Sequence, residues 1–61
     1  MEKLSIVIIS FNEEEHIGRC IDSVQSIADE IVILDSFSTD ETVRIATEKG
    51  ARVEQQAFAG Y

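Results

Sequence analysis

Two runs of four apolar residues, positions 6–9 (IVII) and 31–34 (IVIL), constrain this chain more than any other feature. Both are rich in β-branched residues and short, as buried strands are. Neither alternates apolar with polar, so each strand expects cover on both faces of its sheet. Each run leads at once into a polar, acid-rich loop and then into apolar residues at helical spacing. The first strand is predicted over 4–9. In the segment after it, Asn12 is placed to cap a helix and Glu15 to reach back to that cap. Ile17, Cys20, Ile21 and Val24 then form one apolar stripe on a helix predicted over 13–25. Strand 2 is predicted over 31–34. Ser38 with Glu41 repeats the cap-plus-acid pattern ahead of Val43, Ile45 and Ala46. That second helix is predicted to end near Lys49, where Gly50 can take the left-handed conformation, and a short third strand is expected over 51–53.

The order is βαβαβ, an α/β chain whose strands must run parallel, because a right-handed crossover helix is the short way back between them. The fold class expected is an open parallel sheet of Rossmann-like type. If the strands lie in the order 3-2-1, both crossovers place their helices on one face and leave the other bare. A continuation of the chain, a partner subunit, or the order 2-1-3 would resolve the conflict with the doubly apolar strands. The continuation is the preferred resolution, since the sequence stops at FAGY without a polar terminal segment.

With 61 residues the chain makes one small domain at most, and a domain this size buries only about 60% of its unfolded surface. No apolar run is long enough to span a bilayer and the start has no signal-peptide core, so a cytoplasmic protein is expected. The formal charge of −7, from 12 acids against 5 Lys and Arg, leaves no basic surface for nucleic acid. Cys20, the only cysteine, cannot form an intrachain disulfide and has no metal-ligand spacing around it. It is expected as a buried helix residue, and His16, one position before Ile17, as a boundary residue.

The carboxyl edge of the sheet is where ligands bind in such folds, and both acid loops lie there. The loop after strand 1 contains no glycine, which disfavours a backbone cradle for a pyrophosphate. Glu13, Glu14, Glu15, Asp35, Asp40 and Glu41 would repel a bare phosphate. Two uses remain: acceptors for a base or ribose, or ligands for a divalent cation that carries phosphates. Glu13, Glu14, Asp40 and Glu41 are also explained by the helix macrodipole alone. Ser38 and Thr39 read as caps, and Asn12 reads equally as cap or ligand contact. Asp35 precedes the cap and gains little from the helix, so it is the residue expected to bond a ribose hydroxyl or base N–H. The segment DSFST is not the D-x-D-x-T of a phosphatase nucleophile, since Phe37 stands where the second Asp is needed. Strand 1 also lacks the paired acids of a receiver domain, and the loop lacks the donors and glycine of an EF-hand. No nucleophile–base–orienter set is present.

The stretches LSIVIISFNEEEHIGRCIDSV and ADEIVILDSFSTDETVRIATEKGARV together resemble the start of the family 2 inverting glycosyltransferases of GT-A fold. The nearest branch acts on lipopolysaccharide core and related bacterial envelope glycans. The resemblance covers the whole chain, with Phe37 as a departure where glycine is commoner. It implies that residues 1–61 are a single partial domain, the N-terminal nucleotide-binding part of a catalytic domain. Ser10, Phe11, Asn12 and Glu13 would then line the base and ribose pocket, Asp35 would bond the base or ribose, and Ser36 would assist. The implied donor is a nucleotide sugar, UDP-linked, and the acceptor a glycan or lipid-linked molecule, met in the cytoplasm or at the inner face of the membrane. The divalent metal of such enzymes, Mn²⁺ or Mg²⁺, and the acceptor's general base have no counterpart motif in this chain. These residues alone are therefore expected to be inactive. The rival expectation is a non-catalytic acidic α/β module that self-associates through its sheet.

Overall fold

The computed structural model describes residues 2–57 and consists of β1 (Ser5–Ser10), α1 (Ile17–Val24), β2 (Glu30–Asp35), α2 (Thr42–Glu48) and β3 (Arg52–Gln55). The three strands form one parallel sheet in the order β1-β2-β3. This is the 3-2-1 order, and its consequence holds: both helices cover the same face. Ile17 and Ile21 of α1 and Ala46 of α2 pack with Ile31 and Ile33 of β2 and with Ala51 in a single core. Ile21, Ile33 and Ala46 have no exposed surface.

The opposite face is only half apolar. In-register pairs Val7↔Val32 and Ile9↔Leu34 set four apolar side chains side by side on it, with Val7 57% and Ile9 61% exposed. Across β2 the next column is polar, because Val32 pairs with Arg52 and Leu34 with Glu54. The Arg52 guanidinium reaches Glu30 at 3.5 Å and Glu54 at 3.3 Å, which keeps the β3 side of this face ionic.

Both helices start later than their capping signals predict. The Glu13 carbonyl accepts N–H bonds from His16 (2.9 Å) and Ile17 (2.7 Å), closing a turn ahead of α1 rather than a first helical turn. His16 occupies the N-cap and makes no side-chain capping bond. Asn12 has φ +49°, a left-handed backbone that asparagine tolerates, so it is a loop residue and not the cap. Ser38 does not cap α2 either. The N-cap is Glu41, and Asp40 Oδ1 accepts the Thr42 N–H at 3.0 Å. The closing turn of α2 does follow the sequence signal. Gly50 at φ +91° lets its own N–H reach Thr47 O (3.0 Å) and the Ala51 N–H reach Ala46 O (3.1 Å), the paired bonds of a Schellman motif.

Cys20 is exposed, contrary to expectation. The buried stripe of the helix is Ile17 and Ile21 with Val24 beside them, and Cys20 falls just outside that arc. Among the described residues no helix is long and apolar enough to cross a membrane.

Candidate functional site

The carboxyl edge of the sheet is built on one pair of residues. Ser10 and Asp35 end β1 and β2 as direct neighbours in register, and alternation turns both toward the helix-covered side. There the Ser10 hydroxyl donates to Asp35 Oδ1 at 2.8 Å. The loop after β2 then folds over the same carboxylate: Ser38 donates its hydroxyl to Oδ1 at 2.6 Å and its N–H to Oδ2 at 2.8 Å. Asp35 is 0% exposed and Ser10 3%. Burial alone would push the Asp35 carboxyl up. The Ser38 hydroxyl and N–H, the Ser10 hydroxyl and the Gln55 side chain outweigh it and hold the group below its ordinary value, so it stays ionised.

A second set of bonds joins the two loops to each other. The Asn12 N–H donates to Ser38 Oγ (2.8 Å), while Asn12 Oδ1 accepts the Thr39 N–H (2.8 Å). The Glu13 N–H donates to Thr42 Oγ1 at 2.8 Å, and the Thr42 hydroxyl in turn donates to Asp40. The Glu14 N–H reaches Asp40 Oδ2 (3.2 Å), and Glu14 Oε1 accepts the Glu41 N–H (3.0 Å). Slight burial raises the Asp40 carboxyl, but the bonds from Thr42 and the Glu14 N–H prevail and leave it below the ordinary value. Two of the acids that looked like a repulsive cluster in sequence, Glu14 and Asp40, are therefore acceptors for backbone N–H groups of the facing loop.

The residues singled out in sequence come together but are not equally open. Phe11, Asn12 and Glu13 are exposed, with Phe11 at 57%, and Ser36 is half-buried. The Ser36 N–H extends the β1–β2 ladder to Ser10 O at 2.9 Å, which fixes Ser36 at the rim. Ser10 and Asp35 lie beneath them, enclosed by their own loops. Sequence reading missed Thr42, which is fully buried and bridges Glu13 to Asp40. It also missed Gln55, whose Oε1 accepts the Phe37 N–H at 2.8 Å. The bonds that tie these residues to the site, from the Glu13 N–H to Thr42 and from the Phe37 N–H to Gln55, span 29 and 18 residues, which no local pattern marks.

Two concavities flank this edge and the opposite one. A groove of about 170 Å³ beside β1 is lined by Ile9, Ser10, Glu13, His16 and Cys20, and so adjoins the site. A hollow of about 280 Å³ lies at the amino ends of the strands, among Gln25, Asp29, Lys49 and Arg52. Its cations are already paired, Lys49 with Asp22 at 2.8 Å and Arg52 with Glu30, so it offers little free charge to an anion. Among the described residues no three His, Cys, Asp or Glu side chains are placed to hold a metal ion.

A model of the family described as glycosyl transferase family 2 matches residues 5–57. A glycosyltransferase of Rickettsia felis is 49% identical over 61 residues, all of this chain and 22% of that protein. Glucosyl-3-phosphoglycerate synthase of Mycolicibacterium paratuberculosis is 44% identical over 54 residues, 82% of this chain and 16% of the relative. Among solved structures, the Mycobacterium tuberculosis glucosyl-3-phosphoglycerate synthase in complex with Mn²⁺, UDP and glucosyl-3-phosphoglycerate superimposes with a TM-score of 0.79. It is 40% identical and covers 87% of this chain, which spans 20% of that one. The same synthase has been solved with UDP-glucose and glycerol 3-phosphate, again with Mn²⁺. The chain thus spans about a fifth of the length of the relatives it matches.

Proposed function

The chain belongs to glycosyl transferase family 2, and we propose that its loop cluster is the nucleoside end of a nucleotide-sugar donor site. Its three-stranded parallel sheet with helices matches the GT-A fold of the mycobacterial synthase structures. The observation that carries the proposal is the interlocked pair of loops at the carboxyl edge. Asp35 sits at its floor, and Phe11, Asn12, Glu13 and Ser36 stand at its rim. Such a platform is rigid before any ligand arrives, so little ordering remains to be done on binding.

Phe11 offers an apolar face for a base, and Asn12, Glu13 and Ser36 offer acceptors and donors for base and ribose edges. Asp35 lies ionised beneath them, and its expected bond to a ribose hydroxyl or base N–H requires one of the three donors that now enclose its buried carboxylate to give way. UDP is the favoured donor nucleotide, supported by the UDP and UDP-glucose in the solved synthase complexes. In the complete enzyme an acceptor hydroxyl would displace the nucleotide from the anomeric carbon in a single inverting step. A divalent metal bound with the donor diphosphate stabilises the leaving group in such chemistry, and Mn²⁺ accompanies UDP in the solved relatives. The described residues do not fit that metal, since no three potential ligands converge among them.

For the acceptor, the resemblance to the lipopolysaccharide core branch suggests a bacterial envelope glycan. Phosphoglyceric acid and glycerol 3-phosphate occupy the solved synthase instead. Self-association through the apolar half of the bare sheet face is the second part of the proposal, supported by the exposure of Val7 and Ile9. Equilibrium dialysis of the 61-residue chain against labelled UDP tests the donor reading. Weak binding that EDTA leaves unchanged is the expected result. Absence of UDP binding, or binding lost in EDTA, would contradict it, and sugar transfer by this chain alone would overturn the expectation that it is inactive.

A further inference from the structure

Phe37 is the least explained residue of the loop cluster. Its φ is +54°, a left-handed backbone that costs an aromatic L residue energy and a glycine none. The fold recovers little of that cost from the side chain, which is 58% exposed. The conformation is nevertheless fixed from three directions. The Phe37 N–H is held by Gln55 Oε1 at 2.8 Å, the preceding Ser36 N–H by Ser10 O at 2.9 Å, and the following Ser38 N–H by Asp35 Oδ2 at 2.8 Å. The result is an exposed aromatic at the carboxyl edge of the sheet whose backbone is held by bonds on either side of it.

We propose that Phe37 is a stacking platform for the nucleobase of the donor, with Gln55 as the positioning residue that holds its backbone. The proposal rests on the donor reading above and deepens it. An aromatic face suits this edge because it attracts a neutral base without adding charge to a neighbourhood already rich in carboxylates. Base-on-aromatic stacking is sequence-tolerant and substantial. It would give the site affinity for the nucleoside independent of the metal and diphosphate.

The chain contains no tryptophan, so Phe37→Trp supplies a single reporter at the proposed contact. Quenching of its emission by both UDP and uridine, with inorganic pyrophosphate silent, is the expected outcome. Calorimetric titration of UDP provides the second arm. Phe37→Gly, whose backbone suits a positive φ, should keep the fold by circular dichroism yet weaken UDP roughly fivefold or more. Gln55→Ala should weaken it less and add nothing to Phe37→Gly. UDP binding by the wild type that stays within twofold in Phe37→Gly would overturn the stacking role and leave the donor reading standing. A wild-type chain that binds no UDP would overturn both.

Discussion

Asp35 shows how far a single residue can be read from sequence and where reading stops. Its position after an apolar strand and before a helix marked it as a group with little structural reason to be an acid. What sequence did not reveal is that Ser38, three residues on, folds back over it, so that three donors converge on a fully buried carboxylate. Asp35→Asn would place an amide N–H₂ among those donors and should cost about 2 kcal/mol, measured by urea unfolding at pH 7. The pH dependence has a definite sign. The folded-state pKa lies below the ordinary value of 3.8, so the stabilisation is present above that value and is lost as pH falls through the lower, folded one. Unfolding midpoints should therefore drop as pH is lowered below about 4, and Asp35→Asn should flatten that limb. An acid limb unchanged by the substitution would show that Asp35 does not carry it.

At the level of elements, strand identity and order of appearance were legible because β-branched runs have few alternatives. Helix starts were not. Asn12 with Glu15 and Ser38 with Glu41 are good capping patterns, but each capping side chain found a partner on the opposite loop. Asn12 Oδ1 takes the Thr39 N–H, and Ser38 Oγ serves both Asn12 and Asp35. Tertiary bonds between loops distant in sequence displaced local ones. Asn12→Gly, which keeps the positive φ and removes the side-chain acceptor, should leave helical circular dichroism unchanged while amide exchange at Thr39 quickens. A loss of helix content would restore the capping role. Cys20 lies outside the stripe of Ile17 and Ile21 and is exposed, so its thiol should react with a disulfide reagent in the native state, without the lag that unfolding would impose. Ile33 is central to the core at 0% exposure, and Ile33→Ala should cost about 2–5 kcal/mol by the same urea assay.

For the whole molecule, the doubly apolar strands predicted cover on both faces, whereas the 3-2-1 order with both helices on one side leaves the other face bare among the described residues. The face is smaller than the sequence suggested, because Arg52, Glu30 and Glu54 make its β3 side ionic; that depended on strand register, which apolar runs do not specify. The exposed Val7 and Ile9, with the half-buried Leu34 beside them, should drive self-association against the opposition of a net charge of −7. Sedimentation should thus show more association as salt screens that charge, and Val7→Lys with Ile9→Lys should abolish it. The central claim, that the carboxyl edge is where the nucleoside binds, is tested most directly by titrating ¹⁵N-labelled chain with UDP and following its amide resonances. Shifts concentrated at Phe11, Asn12, Glu13 and Ser36 are the predicted result. A titration that leaves these unmoved, or that shifts Gln25, Asp29 and Lys49 at the opposite end of the sheet instead, would contradict it.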